Sequence, residues 1–598
     1  MAMSGTRKAF LIIGGIFAAL TFVVLVGALL IWMALFYKAE PPIRDNSVLV
    51  LRVTGPLPDY TPDDPFKKIF GGPDQSLTGL VMQFKKAKVD KRVKAIVLDV
   101  NMSGVGWGKA EEIRDAITDF RSSGKQVYAY IEFGLNKEYY IATAADKIVV
   151  PPPGELFING LAADVMFFRG SLDKLGIYPD IYQIGKYKTA ANMFTQKEMT
   201  DAHREFMNEL IEDLYQRYIN TIAQARHKSP DEVRTLIDNA PYNADEAKKA
   251  GLIDEAMYRD EFETMLKKQL GQKESEPLIA VRGHEYRDVS PESLGLNKGE
   301  RIAVIYATGE IGSGSSQNSP SGDQSIGSDT VAKALNDAAA DKSIKAIVLR
   351  VDSPGGSGLA SDIIWRAVEM ANQKKPVVVS MSDVAASGGY YISASASKII
   401  AQPSTITGSI GVLAGKPVMR GFYDWLGISN EYVMRGKTAG MFRETEKFND
   451  DERAKFEEWI KTTYYRDFVP KVAKGRGKDA QYIDSVAQGR VWTGGQAKDK
   501  GLVDEFGGLD KAIDVAKQLA KIPADKGVER VILPYPTTFL QQLMSGGGEN
   551  SNTELEQQRA VLAAMPEDAR RAFRYMQLMD RMKNGETMFL MPFDLRIK

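Results

Sequence analysis

The chain has 598 residues, and its 77 Lys and Arg balance 77 Asp and Glu. The formal net charge is therefore zero, without the basic excess that nucleic-acid binding normally brings, and no nucleic-acid partner is expected. No cysteine is present, which excludes disulfides, thiolate nucleophiles, Cys-ligated zinc and iron–sulfur clusters. The histidines are His203, His227 and His284, too few for a histidine-rich metal site. No metal or cofactor is expected.

Residues 9–36 form an almost unbroken apolar run. A membrane-spanning helix needs about 20 such residues, and this run exceeds the short apolar core of a cleaved signal peptide. A cleaved signal is the alternative, because Ala34 and Ala39 are small residues near its end. Arg7 and Lys8 precede the run, so the positive-inside rule keeps residues 1–8 in the cytoplasm. The remainder is then extracytoplasmic, and no second run of that length follows. The expectation is a single-pass protein of the inner (cell) membrane, anchored in lipid by residues 9–36.

The rest of the chain is a tandem duplication. Residues 95–100 (AIVLDV) match 346–351 (AIVLRV), and 139–148 match 390–399, both at an offset of 251. Residues 175–177 match 426–428 at the same offset, and 247–255 match 497–505 at 250. Shared α/β vocabulary alone would scatter the offsets. The first copy is placed at 46–298 and the second at 299–545, followed by a helical tail at 546–598. In copy two, 302–306, 346–351, 377–381 and 398–401 read as buried strands, and 360–373 and 389–397 as helices. This alternation predicts βαβ units and a mainly parallel sheet. Long helices are expected at 197–226 and 450–474. A strand at 278–282 has its counterpart at 531–535.

Three segments of copy two carry candidate chemistry. Asp352-Ser-Pro-Gly-Gly-Ser357 follows a strand, where a Gly-Gly pair can aim consecutive N–H groups at one point, as an oxyanion hole requires. Ala385-Ala-Ser-Gly-Gly-Tyr390 places a serine where a strand turns into a helix, the logic of a nucleophile elbow. Thr405-Ile-Thr-Gly-Ser-Ile-Gly411 is the third. Taken singly, each also reads as something ordinary: a tight turn, a helix N-cap and a Gly-rich turn.

Together the three segments, in this order and behind a membrane anchor and a duplication, resemble the long, tandem-repeat type of the signal peptide peptidase A family. The resemblance runs over nearly the whole chain. It implies an α/β fold of two Clp protease/crotonase-like domains behind an N-terminal transmembrane helix. It implies a membrane-bound serine endopeptidase with a Ser–Lys dyad, acting on remnant signal peptides, and a homotetramer. By resemblance Ser387 is the nucleophile, Gly356 and Gly388 supply oxyanion N–H groups, and Ser409 supports the catalytic lysine. That lysine is placed in copy one, within Gly185-Lys-Tyr-Lys-Thr-Ala190, at Lys188. A lysine can serve as a base only when neutral, and burial between domains can lower its pKa by the several units required.

Copy one lacks the matching groups. At an offset of 251, Ser387, Gly356 and Ser409 correspond to Asn136, Val105 and Ile158. Copy one is therefore expected to be non-nucleophilic and to donate a lysine. Copy two has its own counterpart at Lys437, so a dyad within that copy is an open alternative. Two other functions compete: a catalytically inactive membrane scaffold that binds peptides or proteins, and a crotonase-like acyl-CoA enzyme.

Overall fold

The computed structural model describes residues 21–23, 25–27, 41–55, 57–61, 75–318, 324–534, 586–591 and 596–597. Of the expected membrane-spanning run, only 21–23 and 25–27 fall among these, as helix, and the remainder lies outside the described residues. Among the described residues, no helix is long and apolar enough to cross a membrane.

Each copy builds a parallel sheet from the β-branched runs seen in the sequence. In copy one the strand order is Glu255–Ala256, Lys147–Val150, Gln126–Tyr130, Val93–Ser103, Ser47–Gly55, Ala280–Arg282. Copy two repeats it with Glu505–Phe506, Lys398–Ala401, Val377–Ala386, Ile344–Ser353, Glu300–Thr308 and Val528–Leu533. Six equivalent strands in one order make the duplication structural as well as textual. Central strands such as Ile344–Ser353 are buried along almost their whole length, which is why they read as continuous apolar runs. Helices such as Trp107–Arg121 and Gly358–Asn372 cover the faces. The molecule is α/β with a duplicated domain.

Boundaries shift from the sequence reading where local chemistry intervenes. The 360–373 helix starts at Gly358, because Ser357 caps it by accepting from the Ala360 N–H. The long helix expected at 450–474 is interrupted. Asp450–Thr462 passes through a wider, π-type turn at Thr463–Phe468 into Val469–Arg476. Pro470 is the cause: it has no N–H to donate, and its ring crowds the preceding turn. The expected helical tail needs a correction. Its stretch near 553–583 lies outside the described residues, but Met588–Leu590 and Arg596–Ile597 are strands.

A further sheet joins the copies. Tyr178–Ile184 of copy one runs antiparallel to Val412–Val418 of copy two, with Ile184 opposite Val412. This ladder brings the segment just after Ile184 against the segment just before Val412.

Candidate active site

The strand Val377–Ala386 ends at Ser387, which initiates the helix Gly388–Ser393. Ser387 has φ 54° and ψ −110°, a region costly for a residue with a Cβ, of order 1–3 kcal/mol. Its N–H donates to Gly408 O at 2.8 Å and its carbonyl accepts from Tyr391 N–H at 2.8 Å, which holds the turn. The hydroxyl is fully buried.

Lys188 of copy one reaches it across the domain boundary. Its Nζ lies 2.8 Å from Ser387 Oγ, 3.1 Å from Ser409 Oγ and 3.2 Å from Ser409 O. Lys188 is fully buried, and among the described residues no carboxylate pairs with it. Burial alone pushes its amine well below the ordinary lysine value. Lys109 provides the contrast within the same chain. It is also buried, but Asp352 at 2.8 Å, with Asp59 and Asp383 near 3.7 Å, outweighs desolvation and raises its pKa. Among the described residues, the missing counter-ion is what separates Lys188 from Lys109.

Gly355 and Gly356 follow the strand Ile344–Ser353 with φ of 108° and 153°, values open only to glycine without strain. The turn lies against Gly388: a Cβ on Gly388 would stand 3.2 Å from Gly356 N and 3.1 Å from Gly355 Cα. Ser387, Lys188, Ser409, Gly356 and Gly388 are thus assembled at one place. Lys437 is not among them; it is exposed to solvent. Asn136 is occupied inside copy one, donating to Gly160 O at 2.8 Å and accepting from Tyr218 Oη at 3.3 Å. Val105 and Ile158 are core residues. None of the histidines stands at the serine: His203 stacks on Phe206 in an apolar setting that pushes its pKa down to about 4.

The sequence did not reveal what fixes the lysine. Tyr187 N–H donates to Gln488 O at 2.8 Å, and Gly489 N–H donates to Ile410 O at 2.7 Å. Gly489 has φ 73°, and a Cβ there would fall 2.5 Å from the Lys188 Cα. Gly489→Val is therefore expected to displace the Lys188 backbone and cut kcat/KM at least ~100-fold, the scale of a misplaced catalytic group. The check is steady-state kinetics, with the near-ultraviolet dichroism of the fold retained.

Nor did the sequence reveal how the copies are clamped. Arg350, 1% exposed, donates to Asp59 and Glu112 of copy one and to Ser380 and Ser382 of its own copy. Burial would raise Asp59, but Arg350 and Lys109 outweigh it and hold the carboxyl low. Glu111 accepts from Ser404 N and Oγ across the boundary. Its burial dominates and lifts the carboxyl to about 7.

A strained serine hydroxyl facing a desolvated amine, with glycine N–H groups beside it, is the kind of site a serine hydrolase requires. Comparison with known proteins agrees. The model of peptidase family S49 matches twice, at residues 119–273 and 369–523. The chain is 36% identical over 509 residues to the chloroplastic serine protease SPPA of Arabidopsis thaliana, covering 85% of this chain and 74% of that one. It is 34% identical to protease 4 of Salmonella typhi, covering 84% and 82%, and 31% identical to protease 4 of Haemophilus influenzae, covering 83% and 80%. The chain belongs to peptidase family S49, one family domain per copy, and is a serine endopeptidase.

Proposed function

We propose that the enzyme cleaves peptides through a Ser387–Lys188 dyad. The observation that carries this reading is the 2.8 Å approach of an uncompensated, buried Lys188 amine to Ser387 Oγ. Neutral Lys188 takes the Oγ proton as the oxygen adds to the peptide carbonyl. The N–H groups of Gly356 and Gly388 receive the developing oxyanion. Protonated Lys188 then gives its proton to the leaving amine, and water releases the acyl group by the same steps. Ser409 Oγ, 3.1 Å from Nζ, orients the amine.

The family resemblance extends the proposal. Each copy is a Clp protease/crotonase-like domain, the substrates are remnant signal peptides, and the working form is a homotetramer. The apolar run at 9–36 anchors the chain in the inner membrane with the catalytic copies outside the cytoplasm. Extraction of the chain by detergent but not by alkaline carbonate tests the anchor.

The dyad is tested by fluorophosphonate labelling and its pH dependence. The full chain is expected to be labelled and its Ser387→Ala variant not. The base acts only when neutral, so the labelling rate should rise about tenfold per pH unit below the lowered Lys188 pKa and level off above it. The plateau should begin well below pH 10.5, and EDTA should leave the rate unchanged. Silence of the folded wild type would favour an inactive scaffold.

A further inference from the structure

Residues 487–490 of copy two lie between the two segments that meet at the Lys188 amine. On one side, Tyr187 N–H donates to Gln488 O at 2.8 Å, and Lys186 N–H donates to Gln488 Oε1 at 3.3 Å. On the other side, Ser409 N–H donates to Arg490 O at 2.7 Å, and Gly489 N–H donates to Ile410 O at 2.7 Å. Ser409 has φ 50°, a conformation that is strained for a residue with a Cβ and persists only where neighbours hold it. The strand Val491–Thr493 continues the hold, running antiparallel to Ile406–Gly408 with Val491 opposite Gly408. One short loop therefore fixes both the backbone that carries the lysine and the serine whose oxygens accept from its amine.

The loop is in turn fastened by the side chain of Arg490, which is buried against copy one. Its guanidinium lies between two rings, 4.5 Å from the centroid of Tyr187 and 4.6 Å from that of Trp492. It donates to Glu205 at 3.3 Å and to Glu209. These carboxylates are four residues apart on the helix Asp201–Arg226 and so share one face of it. Glu205 also accepts from Tyr187 Oη at 2.7 Å and from Lys186 Nζ at 3.3 Å. A planar guanidinium can stack on rings and donate at its edge at the same time, which an ammonium cannot do. Arg490 thus holds Ser409 through its main chain and the neighbour of Lys188 through its side chain. Copy one has no equivalent: at an offset of 250, Arg490 and Trp492 correspond to Ala240 and Tyr242. The arginine occurs in the copy that carries the nucleophile.

From this arrangement we infer that Arg490 is a positioning residue for the dyad: it ties residues 487–490 to copy one, and so holds the Lys188 amine between Ser387 and Ser409 and closes it off from water. The inference rests on the Ser387–Lys188 reading. The cover is tight, since a Cβ on Gly489 would fall 2.5 Å from Lys188 Cα and one on Gly411 would fall 3.0 Å from Lys188 Cδ. The ionisable groups around the cover are already paired. Lys186 and Tyr187 bond Glu205, Arg490 bonds Glu205 and Glu209, and Tyr464 and Gln488 bond Asp484. His203, on the same helix as Glu205, has its pKa pushed down to about 4 and is neutral at pH 7. Burial is what lowers the Lys188 amine, so a loosened cover that admits water raises its pKa toward the ordinary lysine value. The base acts when neutral, so the pH profile of the reaction then moves to higher pH.

The test uses the full chain and the rate of fluorophosphonate labelling across pH. Arg490→Met is expected to lower the maximal labelling rate at pH 7 by roughly 10–100-fold, the scale of a displaced catalytic group, with the half-saturating probe concentration changed by less than about twofold. The midpoint of its pH profile should rise by at least about half a unit. Arg490→Lys keeps the charge and should recover part of both effects. Glu209 has a side chain 52% exposed, so Glu209→Gln spares the fold. It should raise the midpoint in the same direction and add nothing further in the Arg490→Met background. Asp213→Asn is the control: Asp213 lies on the same helix and accepts from Thr493 Oγ1 at 2.7 Å across the same boundary, and its loss should leave the midpoint in place. The inference is overturned if folded Arg490→Met and Glu209→Gln keep the wild-type midpoint. A rate lowered equally at every pH would mark an arginine that only joins the copies. If Arg490→Met does not fold, Glu209→Gln decides by the same criterion. If wild type itself does not label, the dyad reading fails.

Discussion

Lys188→Ala is expected to lower kcat/KM by at least ~1,000-fold and to abolish fluorophosphonate labelling, while Lys437→Ala keeps most activity. General bases contribute about 10²–10⁴-fold, and members of a nucleophile–base unit fail together. Lys188 Nζ is the amine beside Ser387 Oγ, whereas Lys437 is exposed. Lys188→Arg should be equally inactive, because a guanidinium stays protonated and cannot take the serine proton. Lys188→Met separates catalysis from folding. The folded pKa of Lys188 lies below its unfolded value, so below about pH 10.5 the unfolded chain binds the extra proton. The wild type therefore loses stability as pH falls from 10.5 toward the folded pKa, and a methionine at this position would carry no such penalty. Lys188→Met should melt higher than wild type, by a margin that widens as pH falls through that window. Active Lys188→Ala with inactive Lys437→Ala would move the dyad wholly into copy two.

Arg350→Met is expected to destabilise the folded chain by roughly 3–5 kcal/mol, the scale for removing one partner of a buried ion pair. The loss does not arise from the attraction alone. Asp59, 1% exposed, and Glu112, 8% exposed, would remain buried without their guanidinium partner. Arg52→Met serves as the control. Arg52 is 70% exposed and pairs with Asp99 at only 3.8 Å, so its loss should change stability by less than about 1 kcal/mol. Denaturant midpoints measured for both variants check the contrast. Activity should fall with Arg350→Met even below the unfolding transition, because this cluster clamps the copy that supplies Lys188 to the copy that supplies Ser387. Full activity in the folded variant would show that the Tyr178–Ile184 ladder holds the lysine unaided.

How much of this was legible depended on the range of the interaction. The duplication and the strands were readable because fully buried parallel strands must be apolar along their length: 398–401 matches the observed Lys398–Ala401, and 346–351 lies inside Ile344–Ser353. The Gly-Gly turn and the strained Ser387 elbow were readable as local backbone requirements, which only a few residue types meet. Residues that act through contacts distant in the chain left little pattern. Gly489 holds the Lys188 backbone from 301 positions away, and nothing in Gln488-Gly489-Arg490 marks it as different from a surface turn. Asp59 and Glu112 belong to no motif, and Arg350 lies in the 346–351 run read as a buried strand; only the docking of two copies brings the three charges together. The tail was expected to be helical, yet Met588–Leu590 is a strand, because a vacant position between two strand edges outweighs the weak intrinsic preference of three residues. The sequence alone determined the two α/β copies, the asymmetry between them and the serine-bearing elbow. Only the tertiary structure decided which lysine meets that serine and where Met588–Leu590 pairs, since both depend on packing between segments about 200 residues apart.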